Sequence, residues 1–457
     1  MNVPAGATLD RAIGPFAATL LVIGGIVGSG IFLTTGAMAQ ALPSAPLLIV
    51  AWATGSLFAL FGALTYAEMA AMFPRSGGVY VFLREAFGPL LGFLYGWATL
   101  LVVLAGGTAA VAVGFADYFS YFFPALSSTH VVAELPLGVV TLTIARSQLV
   151  AVAAITVLGA INYVGVKAGS MTNAVLTIAK VTGLALIPLF ALAAPQVSPV
   201  WQPIVPVDIA SPLSAFGVAL IAVLWAAEGY YFLTYAAGEV RDPARNLPRA
   251  LTFGLLAVTA IYIIVNVAYL YALPMDALRG TTRVAEAAAK AMVGPAGATI
   301  IALTVLVSTL GADAAVILGA SRLFYAMAKD RLLFPAAAAV HPKYRTPHVA
   351  ILGITLWASL LALSGTYEQL FTYVVFVSVL FSLMGGLALF QLRRTRPDLE
   401  RPYRVWGYPV VPALFIAGAM FMVINTLMAR PVQSLLGLGL LAIGLPVYWW
   451  GRRGRAS

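Results

Sequence analysis

The 457-residue sequence contains no cysteine. Disulfides, thiol nucleophiles and cysteine metal sites are excluded, and so is any partner subunit held by a disulfide. Histidine is nearly as scarce: His130, His341 and His348 are the only three, and each falls in a predicted loop. No glycine-rich loop runs into Lys-Ser or Lys-Thr, and no residue pattern has metal-ligand spacing. The sequence is therefore not read as an enzyme, and neither cofactor nor metal is expected. Charge is scarce too, at 9% of residues against roughly 25% in soluble domains.

Hydrophobic residues, by contrast, make up 61% of the chain, which points to a membrane protein crossing the bilayer many times. Apolar windows of about 20 residues predict about twelve spans, near 13–40, 46–72, 89–123, 147–166, 171–194, 213–238, 250–273, 294–327, 348–365, 369–392, 409–429 and 433–450. The polar start Met1–Asp10 has no small-residue cleavage site, so the first segment is expected to be a retained span. With both ends inside, 20 of the 26 Lys and Arg fall in inside segments, and five, Arg146, Arg279, Arg283, Lys290 and Arg430, fall outside. The net charge of +10 thus reports orientation rather than a nucleic-acid partner. No soluble domain is visible, and the chain 1–457 reads as one transmembrane unit.

The first span holds Gly24-Gly25-Ile26-Val27-Gly28-Ser29-Gly30. Each glycine disfavours helix by about 1 kcal/mol relative to alanine. Unwound backbone in hydrocarbon survives only where protein, a polar cavity or a ligand covers its N–H and C=O groups. Such a break is a binding-site signature, and the plainer reading is a glycine seam for close helix packing. Five spans later, Trp225-Ala226-Ala227-Glu228-Gly229-Tyr230-Tyr231 interrupts another apolar run. Two breaks so placed fit two five-span repeats of inverted topology, about 11–195 and 211–392, with two extra helices at about 408–451.

Four further motifs lie in order around these breaks. They are Gly28-Ser29-Gly30-Ile31-Phe32, Tyr66-Ala67-Glu68 with Pro74-Arg75-Ser76-Gly77-Gly78-Val79-Tyr80, Gly238-Glu239-Val240-Arg241-Asp242-Pro243-Ala244-Arg245-Asn246-Leu247-Pro248-Arg249-Ala250, and Arg322-Leu323-Phe324-Tyr325-Ala326-Met327-Ala328-Lys329-Asp330. Together they resemble the amino acid–polyamine–organocation superfamily, and within it the branch of L-type amino acid transporters and their bacterial exchangers. The resemblance runs from about residue 10 to 405 and is weaker in the last two spans. It implies an all-α LeuT-like fold with broken helices 1 and 6, working by alternating access.

A half-helix beginning near Ser29 would direct free N–H groups of Gly28, Ser29 and Gly30, the Ser29 hydroxyl and a partial positive charge at the break. Those groups suit a carboxylate, and the carbonyls from Ile23 to Ile26 suit an ammonium. The resemblance implies that an α-amino acid is held there by both ends. It further implies that the carbonyls of Trp225 and Ala226 meet the amine, and that the Trp225 ring is an outer gate. Glu228 departs from the glycine common in relatives that prefer large neutral substrates. A carboxylate in hydrocarbon is costly unless paired or protonated. Recognition of a cationic side chain or the amine, a proton carrier, and a hydrogen bond that staples the break all remain open.

Lys180 lies mid-span, too deep to snorkel easily. The resemblance implies that its ammonium occupies the place of a sodium ion, either as a fixed charge or as a titrating coupling group. Asp313 is one residue away from an asparagine of relatives, so no role carries over to it. Glu239, Arg241, Asp242 and Arg245 are expected in an inner charge network. The expectation is a sodium-independent transporter of α-amino acids. Exchange is preferred, proton symport with a taste for cationic substrates is the alternative, and a bacterial inner membrane with cytoplasmic termini is the expected setting.

Overall fold

The computed structural model describes the chain except residues 1–10, 12, 75–76, 137–140, 165–168, 195–210, 280, 330–334, 345 and 454–457. The start Met1–Asp10 and the motif residues Arg75, Ser76 and Asp330 lie outside the described residues, as do the side chains of Arg322, Ala326 and Lys329.

The first apolar run forms two helices, α1 (Pro15–Ile26) and α2 (Gly30–Ala41), bent by 44° at the glycines between them. A helix α3 (Ala45–Met72) returns, and a short α4 (Val79–Phe87) leads into α5 (Pro89–Ala98). After a π-helical stretch, Thr99–Leu104, the same span continues as α6 (Ala105–Phe119). Helices α7 (Arg146–Val164), α8 (Gly169–Ala193) and α9 (Pro212–Ala227) follow. Beyond α9 the chain turns and runs as a 3-10 helix, Phe232–Glu239, into α10 (Pro243–Ala272) and the short α11 (Met275–Arg279). The last elements are α12 (Val284–Lys329), α13 (His348–Ser364), α14 (Tyr367–Thr395), α15 (Val410–Ala429) and α16 (Pro431–Arg453). Proline opens several of these helices, as at Pro15, Pro89, Pro212 and Pro243, where its missing N–H has no intrahelical partner to lose.

Among the described residues, eight helices are long and apolar enough to cross a membrane, or nine with the bent α1–α2 pair taken as one span. Ala179–Ala193, Pro212–Ala227 and His348–Ser364 are shorter apolar helices. The molecule is thus a mostly helical, multi-pass membrane protein. The spans differ in depth. Span Pro89–Phe119 is 78% buried in its apolar window and Pro431–Trp450 only 22%, so the former is central and the latter faces lipid.

Two packed groups surround the centre. Helix α1 packs on α10, α2 on α9, and α3 on both α9 and α10; α6, α7, α12 and α13 pack on one another. Helix α14 touches α3, α6 and α9 and so bridges the groups. Hydrocarbon solvates leucine as well as protein does, so close approach of small residues carries the packing. An ideal Cβ on Gly30 would fall 2.5 Å from Ala226 Cα, and one on Gly229 would fall 2.6 Å from the Gly25 carbonyl oxygen. Gly229 also has φ +102°, which residues with a Cβ rarely adopt. The two breaks therefore touch each other, backbone against backbone.

Two features differ from the sequence expectation. The chain is not all-α: Val131–Pro136 (β1) and Thr141–Ala145 (β2) pair as an antiparallel hairpin in the loop after α6. Its strands are only five and six residues long, which a 20-residue hydropathy window averages away. The stretch 274–293, which falls between the predicted spans 250–273 and 294–327, is largely helical. It contains α11 and the first limb of α12, which bends at Gly294 (φ +79°) before Pro295. An alanine-rich run, Ala285 to Ala291, favours helix despite its charges.

At one end of the bundle, Glu68 of α3 is fully buried, at 0% exposure. Its carboxylate accepts both Nε (2.9 Å) and Nη2 (2.7 Å) of Arg393 on α14, and the Val405 N–H at 2.7 Å. Arg401 lies 3.7 Å away. A buried charge is tolerable when a bidentate partner and further donors satisfy it, and this one ties α3, α14 and the segment before α15 together.

Candidate functional site

The hydrogen bonding of α1 ends with Val27 N–H on Ile23 O at 2.9 Å, and that of α2 begins with Phe32 N–H on Ser29 O at 3.1 Å. The N–H groups of Gly28, Ser29 and Gly30 lie between those two bonds, ahead of the first turn of α2, and find no backbone acceptor among the described residues, Gly28 N–H facing the Tyr262 hydroxyl. Ser29 occupies the N-cap position without using its side chain as a cap. Its hydroxyl instead lies 3.1 Å from the Tyr367 hydroxyl at the start of α14. The Trp225 indole Nε1–H donates to that same Tyr367 oxygen at 2.7 Å. The Trp225 ring stacks on Phe371 with centroids 6.0 Å apart and meets Tyr367 edge-on at 6.3 Å. One end of the break is thereby closed by an aromatic cover drawn from α9 and α14.

On the carbonyl side, Ile26 O and Ala226 O converge. A single hydroxyl, Tyr262 on α10, reaches Ile26 O at 3.2 Å and Ala226 O at 3.3 Å. Each carbonyl has two lone pairs and retains acceptor capacity. Gly24 O is engaged by the Lys180 Nζ at 2.8 Å, so α8 is tied to the end of α1 by an ammonium. The arrangement holds orphan donors and a hydroxyl at one end of the break and convergent acceptors at the other.

Glu228 caps the end of α9 and is half-buried. Its Oε1 accepts hydrogen bonds from the Tyr231 hydroxyl and, at 3.1 Å, from Ser378 on α14. Both donors line a small cavity whose hydroxyls also include those of Tyr66, Tyr95, Thr99 and Ser382. Tyr95 and Tyr235 hydroxyls are hydrogen-bonded beside it. The cavity borders the π-helical stretch of the central span through Thr99 and Val103. That stretch leaves the Leu101 carbonyl free to accept the Trp357 indole at 2.8 Å. π-Helical turns within helices cluster at functional sites.

Asp313 is 1% exposed, and its Oδ1 finds no donor among the described residues. Among those residues it makes no ion pair with Lys180, so the two charges stand apart. Ser308 Oγ is likewise buried without a partner there, whereas Thr309 turns its hydroxyl back to Val305 O at 2.8 Å. Glu239, Arg241, Asp242 and Arg245 make no ion pair with one another among the described residues. A backbone clasp stands in their place: Ile13 N–H donates to Glu239 O and Arg241 N–H to Ile13 O, each at 2.9 Å.

The structure therefore brings Ile26, Gly28, Ser29, Gly30, Trp225 and Ala226 to one place, with Lys180 and Glu228 bonded around it. Sequence reasoning missed Tyr262, Tyr367, Ser378 and Tyr231. For Tyr262 and Tyr231 a tyrosine inside an apolar span is the signal that could have raised them, since a buried phenol seeks a partner; Tyr367 at a helix start and Ser378 carry no such signal.

A family profile described as amino acid permease matches residues 13–449. The serine/threonine exchanger SteT of Bacillus subtilis (strain 168) is 31% identical over 98% of both chains. The branched-chain amino acid permease BcaP of the same organism is 30% identical over 97% of this chain and 93% of its own. The b(0,+)-type amino acid transporter 1 of Homo sapiens is 29% identical over 95% of this chain and 86% of its own. The chain belongs to the amino acid permease family and is a transporter rather than an enzyme.

Proposed function

We propose that this protein carries α-amino acids across a membrane by sodium-independent exchange, holding the substrate backbone between the two helix breaks. The observation that carries this reading is the opposition at the breaks. The orphan N–H groups of Gly28, Ser29 and Gly30 with the Ser29 hydroxyl suit a carboxylate, and the convergent carbonyls of Ile26 and Ala226 suit an ammonium. Trp225 supports the role of outer gate through its cover over the break. Substrate would bias the breaks toward closure by binding the closed arrangement more tightly. The reading includes twelve spans in two inverted five-span repeats with two additional helices, a bacterial inner membrane and cytoplasmic termini.

Lys180 supports sodium independence, because a tethered ammonium on Gly24 O supplies a positive charge where a free cation would otherwise be needed. The exchanger among the relatives supports exchange. Those relatives are named for hydroxylated and branched-chain substrates, so the side-chain preference rests on this chain's own Glu228. A carboxylate beside a hydroxyl-lined cavity favours polar or cationic side chains. The same carboxylate, held by hydroxyls, favours proton symport as the alternative.

Uptake of labelled amino acids into proteoliposomes in sodium-free buffer tests both. Uptake confined to vesicles preloaded with unlabelled amino acid, and indifferent to a proton gradient, is expected. Accumulation in empty vesicles driven by the gradient would replace exchange with symport.

A further inference from the structure

We infer that Tyr367 is a further ligand of the substrate carboxylate and the link that passes its arrival to Trp225. The inference rests on the reading that the break at Ser29 receives that carboxylate.

Donor bookkeeping at the phenol leads there. An indole N–H can only donate, so the Tyr367 oxygen accepts from Trp225 at 2.7 Å and its own proton must point elsewhere. The neighbour in reach is the Ser29 oxygen at 3.1 Å. With the phenol proton directed at Ser29, the serine proton has no other acceptor among the described residues. Two hydroxyl protons thus stand at the start of α2, beside its orphan N–H groups. A carboxylate entering there has lone pairs enough for both, and a hydrogen bond to an ionised oxygen is stronger than the hydroxyl–hydroxyl contact it replaces.

The phenol is also held in position. Tyr367 is the first residue of α14, behind a capping box in which Thr366 and Gln369 satisfy each other's backbone N–H. The adjacent Glu368 pairs with Arg430 at 2.7 Å. On the far side Gly114 of α6 leaves the ring its space, because a Cβ there would sit 3.2 Å from Tyr367 Cε2. Ser29, Trp225 and Tyr367 belong to three different spans and are all buried. A ligand on the first and third of them bears on the second through the indole hydrogen bond.

The test is competition for uptake in proteoliposomes, using L-serine, L-leucine and L-arginine, each against its own α-carboxamide, with whichever wild type carries. The amide keeps the amine and side chain and loses the charge. Wild type is expected to prefer the acid strongly. Tyr367→Phe keeps the ring and is expected to raise KM for the acid about tenfold or more while leaving inhibition by the amide nearly unchanged. An equal weakening of acid and amide would make Tyr367 a packing residue and overturn the inference, as would full acid preference in the variant. A wild type that does not distinguish the acid from its amide would instead overturn the carboxylate reading itself. Should Tyr367→Phe fail to insert, Gly114→Ala displaces the ring and leaves every donor present. It must then show a smaller loss of acid preference, and undiminished preference would count against Tyr367.

Discussion

The Tyr262 hydroxyl meets Ile26 O at 3.2 Å and Ala226 O at 3.3 Å, so one proton donor serves the ends of two half-helices that are 200 residues apart in the chain. Tyr262→Phe removes the donor and keeps the ring, which packs edge-on against Trp52 at 5.4 Å. Leaving buried carbonyls without it should lower stability by about 1–3 kcal/mol. Thermal unfolding of the detergent-solubilised protein reads this, and a variant as stable as wild type would remove Tyr262 from the scaffold of the site.

Lys180→Ala withdraws the ammonium from Gly24 O. Transport should be abolished or strongly reduced while the protein still inserts, and wild-type uptake should be unchanged when choline replaces sodium. Full activity in the variant would make the lysine a bystander, and sodium stimulation of wild type would end the sodium-independent reading.

Glu228→Gln retains an acceptor for Tyr231 and Ser378 but removes the charge. Uptake of cationic amino acids should fall about tenfold or more, the worth of a charge-assisted hydrogen bond, with neutral substrates largely spared. An equal loss across a substrate panel would identify Glu228 as a brace for the break instead.

Glu68→Gln leaves the Arg393 and Arg401 guanidinium groups without their carboxylate. Breaking a buried pair from one side should cost about 3–5 kcal/mol, read as a lower unfolding temperature. The double variant with Arg393→Gln should recover part of that loss, because the surviving charge is what destabilises the single variant. No recovery would mean that the two residues act separately.

Hydropathy made the membrane class legible, and glycine made the breaks legible: Gly24 to Gly30 and Gly229 violate the preferences of the apolar runs around them. The polar partners were not legible for a geometric reason. Tyr262 in Ala260-Ile261-Tyr262-Ile263 looks like any core aromatic, and its acceptor at Ile26 lies 236 residues away. Ser29 and Tyr367 are separated by 338 positions. No local period records such a pairing. The inner segment holds a contact of the same kind: Ile13, Glu239 and Arg241 meet through main-chain groups that any residue type carries, which no charge pattern records.

The contact of Gly25 with Gly229 has a mechanical meaning. Where the two spans cross, main chain meets main chain: an ideal Cβ on Gly229 would stand 2.6 Å from Gly25 O, with the Phe232 ring alongside at 3.5 Å. Interlocked side chains would have to disengage before one span could tilt against the other. Two bare glycines form a fulcrum on which tilting meets little friction. Under the proposed exchange, resistance to rocking would reside in the fastenings at the extremities, the aromatic cover at one and the main-chain clasp at the other, and these would decide which face of the membrane the proposed site opens to.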